Sequence, residues 1–212
     1  VILSDGGVKA EDRGMNTFKL LRSGELRTML KLVSGAHDLA PESVLWKEHV
    51  LRGLCRLVDG RVACCSLLRD VRPGGKWTVL SRVDECFGGQ RQRLVLMAAA
   101  EGNGAADPMW EMAKEEGQVV TRMRREVVDD GEWYASVYVK QVRQKAGVDD
   151  CIYSLVRLPE RGWAMAMTVH RGWGGRKFGE REKAIVHALH EEIGMLYERE
   201  AGLARMMGRV AA

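Results

Sequence analysis

Two apolar runs, DCIYSLVRL (residues 150–158) and GWAMAMTVH (residues 162–170), lie almost end to end, with only Pro159, Glu160 and Arg161 between their cores. Each has the length and the residue types of a central strand. So short a connection makes the pair an antiparallel hairpin, because a parallel crossover needs about a dozen residues or more. A long helical pattern follows from Phe178, FGEREKAIVHALHEEIGMLYERE. A hairpin that leads straight into a long helix needs more strands beside it and more helices to cover it.

The rest of the chain supplies both. Residues 16–34 read as helical through Phe18, Leu21, Leu26, Leu30 and Val33, with Gly24 a possible break. Residues 36–43 (AHDLAPES) read as a linker, and residues 42–58 as an amphipathic helix with Val50, Leu51 and Leu54 on its stripe. Residues 61–71 and 77–84 read as two strands of a hairpin joined by RPGGK. Residues 90–100 fit helix or strand equally. A loop then reaches Asp107, the expected cap of a helix over residues 108–116. Residues 119–127 read as a strand, and residues 130–145 as an aromatic-rich helix. The order implies an α+β fold: an antiparallel sheet packed against helices, with a long C-terminal helix. Three regions follow: a flexible arm and N-terminal helix over residues 1–40, a central domain over residues 41–180, and a terminal helix over residues 181–212.

In the terminal helix, Val186, Leu189, Ile193 and Leu196 recur in steps of three and four, and Leu203, Met207 and Val210 continue the series. A 3.5-residue repeat suits helix–helix pairing, so these residues are the expected dimer interface, which the helix over residues 42–58 could join. The competing reading is a one-sided helix packed on its own domain. Gly194, Gly202 and Gly208 weaken the helix, each by up to about 1 kcal/mol relative to alanine.

Composition excludes several classes. The chain has 212 residues and a net charge of +4, with basic residues dispersed rather than gathered into a nucleic-acid groove. Its longest apolar run, residues 94–100, is far short of a membrane span, and no signal-peptide pattern opens the sequence. The five cysteines show no CxxC spacing, and their odd number suits reduced thiols in a cytoplasm. Cys64 and Cys65 are adjacent, so on a strand they point to opposite faces and do not pair.

Candidate chemistry is sparse. His187, His190 and Glu191 have the spacing of a helical metal pair, but nothing completes a ligand set, so no metal site is assigned. Cys151 and His170 suggest a nucleophile and base, yet no elbow or signature accompanies them and Cys151 fits a core position. GWGGRKFG (residues 172–179) fails GxGxxG, and PGGKWT (residues 73–78) fails the phosphate-loop pattern. Both read as turns, with Phe178 and Glu182 anchoring and capping the terminal helix. Trp133, Tyr134 and Tyr138 on one helical segment, with Tyr153 on the next strand, are the expected walls of a small-ligand pocket.

These stretches carry a family resemblance. WYASVYVKQVRQKAGVDDCIYSL (residues 133–155) and MTVHRGWGGRKFGEREKAIVHALHEEIGMLY (residues 167–197) resemble the sensory region of bacterial LuxR-type transcription regulators. In that family a GAF-like domain, a fold related to PAS, precedes a helix-turn-helix. The general order of elements extends the resemblance back to residue 42. It implies a non-enzymatic, homodimeric sensor that takes a small ligand in a GAF-type pocket, and it names no cofactor. DNA binding is expected only through a C-terminal helix-turn-helix, for which AGLARMMGRVAA (residues 201–212) is too short. The alternatives are a small-molecule enzyme built on Cys151 or His170, and a dimerisation module without a ligand.

Overall fold

A computed structural model describes residues 19–39, 44–71, 77–86, 88–91, 93, 95, 107–159 and 162–210, with residues 200–210 as backbone alone. The N-terminal arm, the RPGGK turn and most of residues 90–106 lie outside the described residues. Helices α1 (Ser23–His37) and α2 (Leu45–Val58) come first, then strands β1 (Val62–Arg69) and β2 (Thr78–Glu85). A 3-10 helix (Pro108–Lys114), strand β3 (Val119–Met123) and the short helices α3 (Arg124–Val127) and α4 (Asp130–Ala135) follow. A π-helical turn (Val139–Arg143) leads to strands β4 (Val148–Arg157) and β5 (Ala164–Gly172), and α5 (Glu180–Val210) closes the order. The sheet runs β2-β1-β5-β4-β3, antiparallel at each pairing. It is the expected α+β sandwich, with β4 and β5 at its centre.

Alternation along each strand divides the molecule into two layers. Ala63, Cys65, Ile152, Met165, Met167 and Val169 face α1, α2 and α5 in one core. Cys151, Tyr153, Leu155, Ala164 and Ala166 face the 3-10 helix, α4 and the π turn in a second core. With both faces covered, β4 and β5 are buried almost end to end, which explains their unbroken apolar sequences. Each fully buried Leu, Ile or Phe side chain contributes roughly 1.5–3 kcal/mol. No helix among the described residues is long and apolar enough to cross a membrane.

Helix α5 lies on β3 and β4, and its 3–4 spacing is used within the domain. Val186 and Leu189 are 0% exposed and Ile193 is 1% exposed, all within the core shared with the sheet; Leu196 packs half-buried at its edge. Within the single chain these residues follow the competing reading, a one-sided helix packed on its own domain. Over a few turns, a stripe that covers a sheet and a stripe that pairs helices have nearly the same period. Gly194 follows from the same packing, since a Cβ there would stand 2.7 Å from Val156 Cγ1. Arg181 pairs with Glu25 and so joins α5 to α1.

At the start of α5, Glu182 Oε2 accepts from Gly179 N at 2.9 Å, and Phe178 N donates to Asp150 Oδ2 at 2.6 Å. Phe178 and Glu182 therefore anchor and cap the helix as read from the sequence. Gly24 lies in the first turn of α1 and does not break it.

Three elements differ from expectation. The strand expected over residues 119–127 ends at Met123, where Glu126 Oε2 accepts from Met123 N at 2.7 Å and turns the chain into α3. There the buried Arg124 guanidinium pairs with Asp130 and lies 3.6 Å from Asp150. The helix expected over residues 108–116 is a 3-10 helix, which sets Met109 and Met112 on one buried face. The helix expected over residues 130–145 breaks at Ser136, whose backbone is extended (ψ 130°), and resumes as the π turn. The break lets Trp133 and Arg143 stack inside the second core, with the guanidinium 4.7 Å from the ring centre.

Candidate functional site

The sheet face turned away from α5 carries a cavity of about 60 Å³. Its floor comes from alternate residues of neighbouring strands: Cys64 and Ser66 on β1, Thr168 and His170 on β5, and Tyr153 on β4. Half-buried Trp77 and Trp110 form a wall, their ring centres 4.7 Å apart. Trp110 meets Tyr153 edge-on at 5.5 Å, and Tyr153 meets His170 edge-on at 5.9 Å. Tyr138, from the segment leading into the π turn, lines another side.

A charged network lies under these rings. Asp107, just ahead of the 3-10 helix, is 3% exposed, and Arg143, at the end of the π turn, is 1% exposed. Arg143 Nη2 donates to Asp107 Oδ2 and to the Tyr153 hydroxyl, each at 2.6 Å. Tyr153 donates in turn to Asp107 Oδ2 at 2.5 Å, and Met109 N donates to Asp107 Oδ1 at 3.1 Å. Arg143 Nη1 lies 3.1 Å from His170 Nδ1. Because a guanidinium can only donate, Nδ1 is the acceptor, and the neutral ring carries its proton on Nε2. The Arg143 ion also sits over the faces of Trp133, Tyr138 and Tyr153. Among the described residues its Nε has no hydrogen-bond partner.

Electrostatics follow from burial. Desolvation pushes the His170 pKa well below the usual imidazole range, and the Arg143 and Arg82 charges push it further. Burial raises the Tyr153 and Tyr138 phenols, so both remain protonated donors. On β2, Arg82 Nε donates to Asp84 Oδ1 at 2.7 Å, and Arg82 Nη2 donates to Cys64 Sγ at 3.4 Å. The Cys64 thiol is pushed up to about 12, chiefly by burial. Each guanidinium is thus matched by a carboxylate, and the neutral groups leave the site without net charge.

The structure separates the expected pocket residues. Tyr138 and Tyr153 line the cavity. Trp133, 0% exposed, lies behind it against Arg143 and donates from Nε1 to Asp149 Oδ1 at 3.1 Å. Tyr134 stands outside, where its hydroxyl meets Asp149 Oδ2 at 2.9 Å and Lys177 Nζ at 2.6 Å. These two do not form pocket walls, because the break at Ser136 turns them from the segment that does. Asp107, Arg143, Trp77, Trp110 and Arg82 belong to the site and were not singled out for it. Asp107 read only as a helix cap, which it also is; an arginine at an inward position beside Val139 was the available signal for Arg143.

Other candidate chemistry finds structural roles. Cys151 is the cross-strand partner of His170, but burial pushes its thiol up to about 12 while the imidazole is pushed down. Neither group is charged, and the Nδ1 lone pair is engaged with Arg143, so no thiolate–imidazolium pair forms. His187 Nδ1 and Thr121 Oγ1 are 3.0 Å apart, and His190 Nδ1 and Ser154 Oγ are 2.8 Å apart. Thr121 and Ser154 hydroxyls join the two histidines at 2.7 Å. Among the described residues no group of three or more His, Cys, Asp or Glu side chains is placed to hold a metal ion. In the glycine-rich loop, Lys177 is paired with Asp149 at 2.9 Å and Gly174 takes a positive φ of 71°, as a turn requires.

The sequence matches no family model and no curated protein at a significant level. Solved structures do resemble the fold. The ligand-binding domain of VqsR from Pseudomonas aeruginosa superposes with a TM-score of 0.58 at 12% identity, over 85% of this chain and 98% of that one. The GAF domain of a protein named as a sensor histidine kinase, from Pseudomonas syringae pv. tomato, gives a TM-score of 0.50 at 13% identity, over 94% of this chain and 99% of that one. At such identities the likeness concerns architecture: the chain has the fold of GAF domains.

Proposed function

We propose that this chain is a sensory domain that binds a small planar molecule over the Asp107–Arg143–Tyr153–His170 floor and regulates transcription. The observation that carries the reading is the buried ion pair beneath an aromatic-walled cavity. Burying two charges is often no better for stability than apolar packing of the same volume. Placed under a cavity, the same groups present fixed hydrogen bonds to a bound molecule. The likeness to a ligand-binding domain and to a sensor's GAF domain supports it, as does the resemblance of residues 133–155 and 167–197 to LuxR-type sensory regions.

A cavity of about 60 Å³ has room for roughly two water molecules. A ligand of ten or more heavy atoms therefore parts Trp77 from Trp110 on entry and selects an open form. The signal has a short route across the sheet. Tyr153 touches the pocket, and the next residue, Ser154, bonds His190 of α5. A ligand that draws on Tyr153 moves the strand on which α5 rests. In this reading the active species is a cytoplasmic homodimer paired through the distal part of α5, where the heptad continues at Leu203, Met207 and Val210. DNA is bound by an associated helix-turn-helix.

The test is a titration with planar heterocyclic carbonyl compounds, read by tryptophan emission. Saturable change is expected, with Tyr153→Phe weakening affinity up to about tenfold. No saturable change with any compound, or identical affinities in the two proteins, would contradict the reading.

A further inference from the structure

A second reactive site lies away from the pocket, where α2 meets the end of β2. Cys55 occupies the last turn of α2 and is buried, whereas Cys86 directly follows β2 and is half-buried. Cys86 packs against the edge of the core that contains Cys55. Both line an open surface cavity of about 410 Å³ shared with Arg52, Arg56, Asp59 and Gly60. Other contacts fix the same junction. Arg52 Nε is 3.3 Å from Glu85 Oε2, and Gly60 N donates to the Cys55 carbonyl at 2.8 Å. Cys86 holds a left-handed φ of 70°, which directs the chain at this corner. The remaining cysteines differ: Cys64, Cys65 and Cys151 are buried within the strands of the sheet, and Cys64 and Cys65 point to opposite faces.

We propose that Cys55 and Cys86 are a reversible redox pair, closed to a disulfide by hydrogen peroxide. Cys86 is the point of attack because it is the more accessible of the two thiols. The Cys86 thiolate attacks one peroxide oxygen, the O–O bond breaks, and hydroxide leaves, giving a sulfenic acid. The Cys55 sulfur then attacks the Cys86 sulfur. Its proton departs with the sulfenic hydroxyl as water, and the S–S bond forms. Overall the two thiols lose two electrons and two protons, and the peroxide becomes two waters. Cys55 is shielded and its thiol is held protonated by burial, which suits the resolving partner rather than the first nucleophile. The bridge ties α2 to the strand that carries Val79 and Arg82 to the pocket.

The experiment treats the full chain with hydrogen peroxide, blocks residual thiols with a maleimide and maps the peptides by mass spectrometry. The expected result is loss of two of the five thiols, a Cys55–Cys86 linked peptide, and full recovery with dithiothreitol. In the Cys55→Ser variant, dimedone should trap a sulfenic acid at Cys86; in Cys86→Ser no intramolecular bridge should form. A different pairing, an intermolecular bridge, or five thiols still free after treatment overturns the proposal. The peptide map of the unmodified sequence decides the matter even where a serine variant fails to fold.

Discussion

The Asp107–Arg143 pair concentrates both the cost and the chemistry of the site in single residues. Asp107→Leu leaves the Arg143 ion buried without its carboxylate and should cost about 3–5 kcal/mol in urea denaturation. A loss below 1 kcal/mol would place the pair outside the buried core. His190 makes a second residue-scale prediction. Burial, first, and His187, second, push its pKa from the usual imidazole value down to about 3. The unfolded chain therefore binds one more proton between pH 3 and about 6.5, so stability falls as pH falls through that window. His190 accounts for about 1.4 kcal/mol per pH unit there, and His170 and His187 act in the same direction. Chemical denaturation from pH 7 to pH 4 should show a shallower decline in His190→Gln; an unchanged slope would mean that His190 is not buried neutral. At this scale the sequence was only partly readable. Tyr138 and Tyr153 stood out as aromatics, whereas Asp107 and Arg143 gain their roles from a tertiary meeting across residues 107, 143, 153 and 170.

Strands and long helices were the readable elements, because alternation and the 3.6-residue period are written locally. The central hairpin, the β1–β2 hairpin, α2 and α5 lie within a few residues of expectation. Failures occurred where side chains override local pattern. Glu126 ends β3 through a backbone bond, and Ser136 interrupts what reads as one aromatic helix. The partner of α5 was also hidden, since an apolar stripe does not say what covers it. That difference is measurable. Leu189 is wholly enclosed by its own domain, so Leu189→Asp buries an unpaired carboxylate and should abolish the cooperative melting transition. A folded, monomeric Leu189→Asp protein, beside a dimeric parent of equal stability, would restore the stripe to a dimer interface.

At the scale of the molecule, one sheet separates two tasks. Its α1–α2–α5 face is an apolar core crossed by the Thr121–Ser154–His187–His190 hydroxyl and imidazole network. Its other face holds charge, aromatic rings and the cavity. β4 belongs to both, since Tyr153 and Ser154 point to opposite sides, so the strand can couple a ligand to α5 without a longer path. The GAF-type architecture was legible from the order of elements, but the pocket was not. Its walls come from Trp77 at the start of one edge strand and Trp110 in a 3-10 helix that no periodic pattern marks.

The central claim is that this cavity receives a small molecule. Saturation-transfer NMR with planar carbonyl fragments of about a dozen heavy atoms tests it most directly, comparing the parent with Ser66→Phe, in which a ring fills the pocket from β1. The account predicts a subset of fragments that bind the parent and lose their signal in Ser66→Phe while both proteins melt cooperatively. Equal signals in two folded proteins, or none in either, would contradict it.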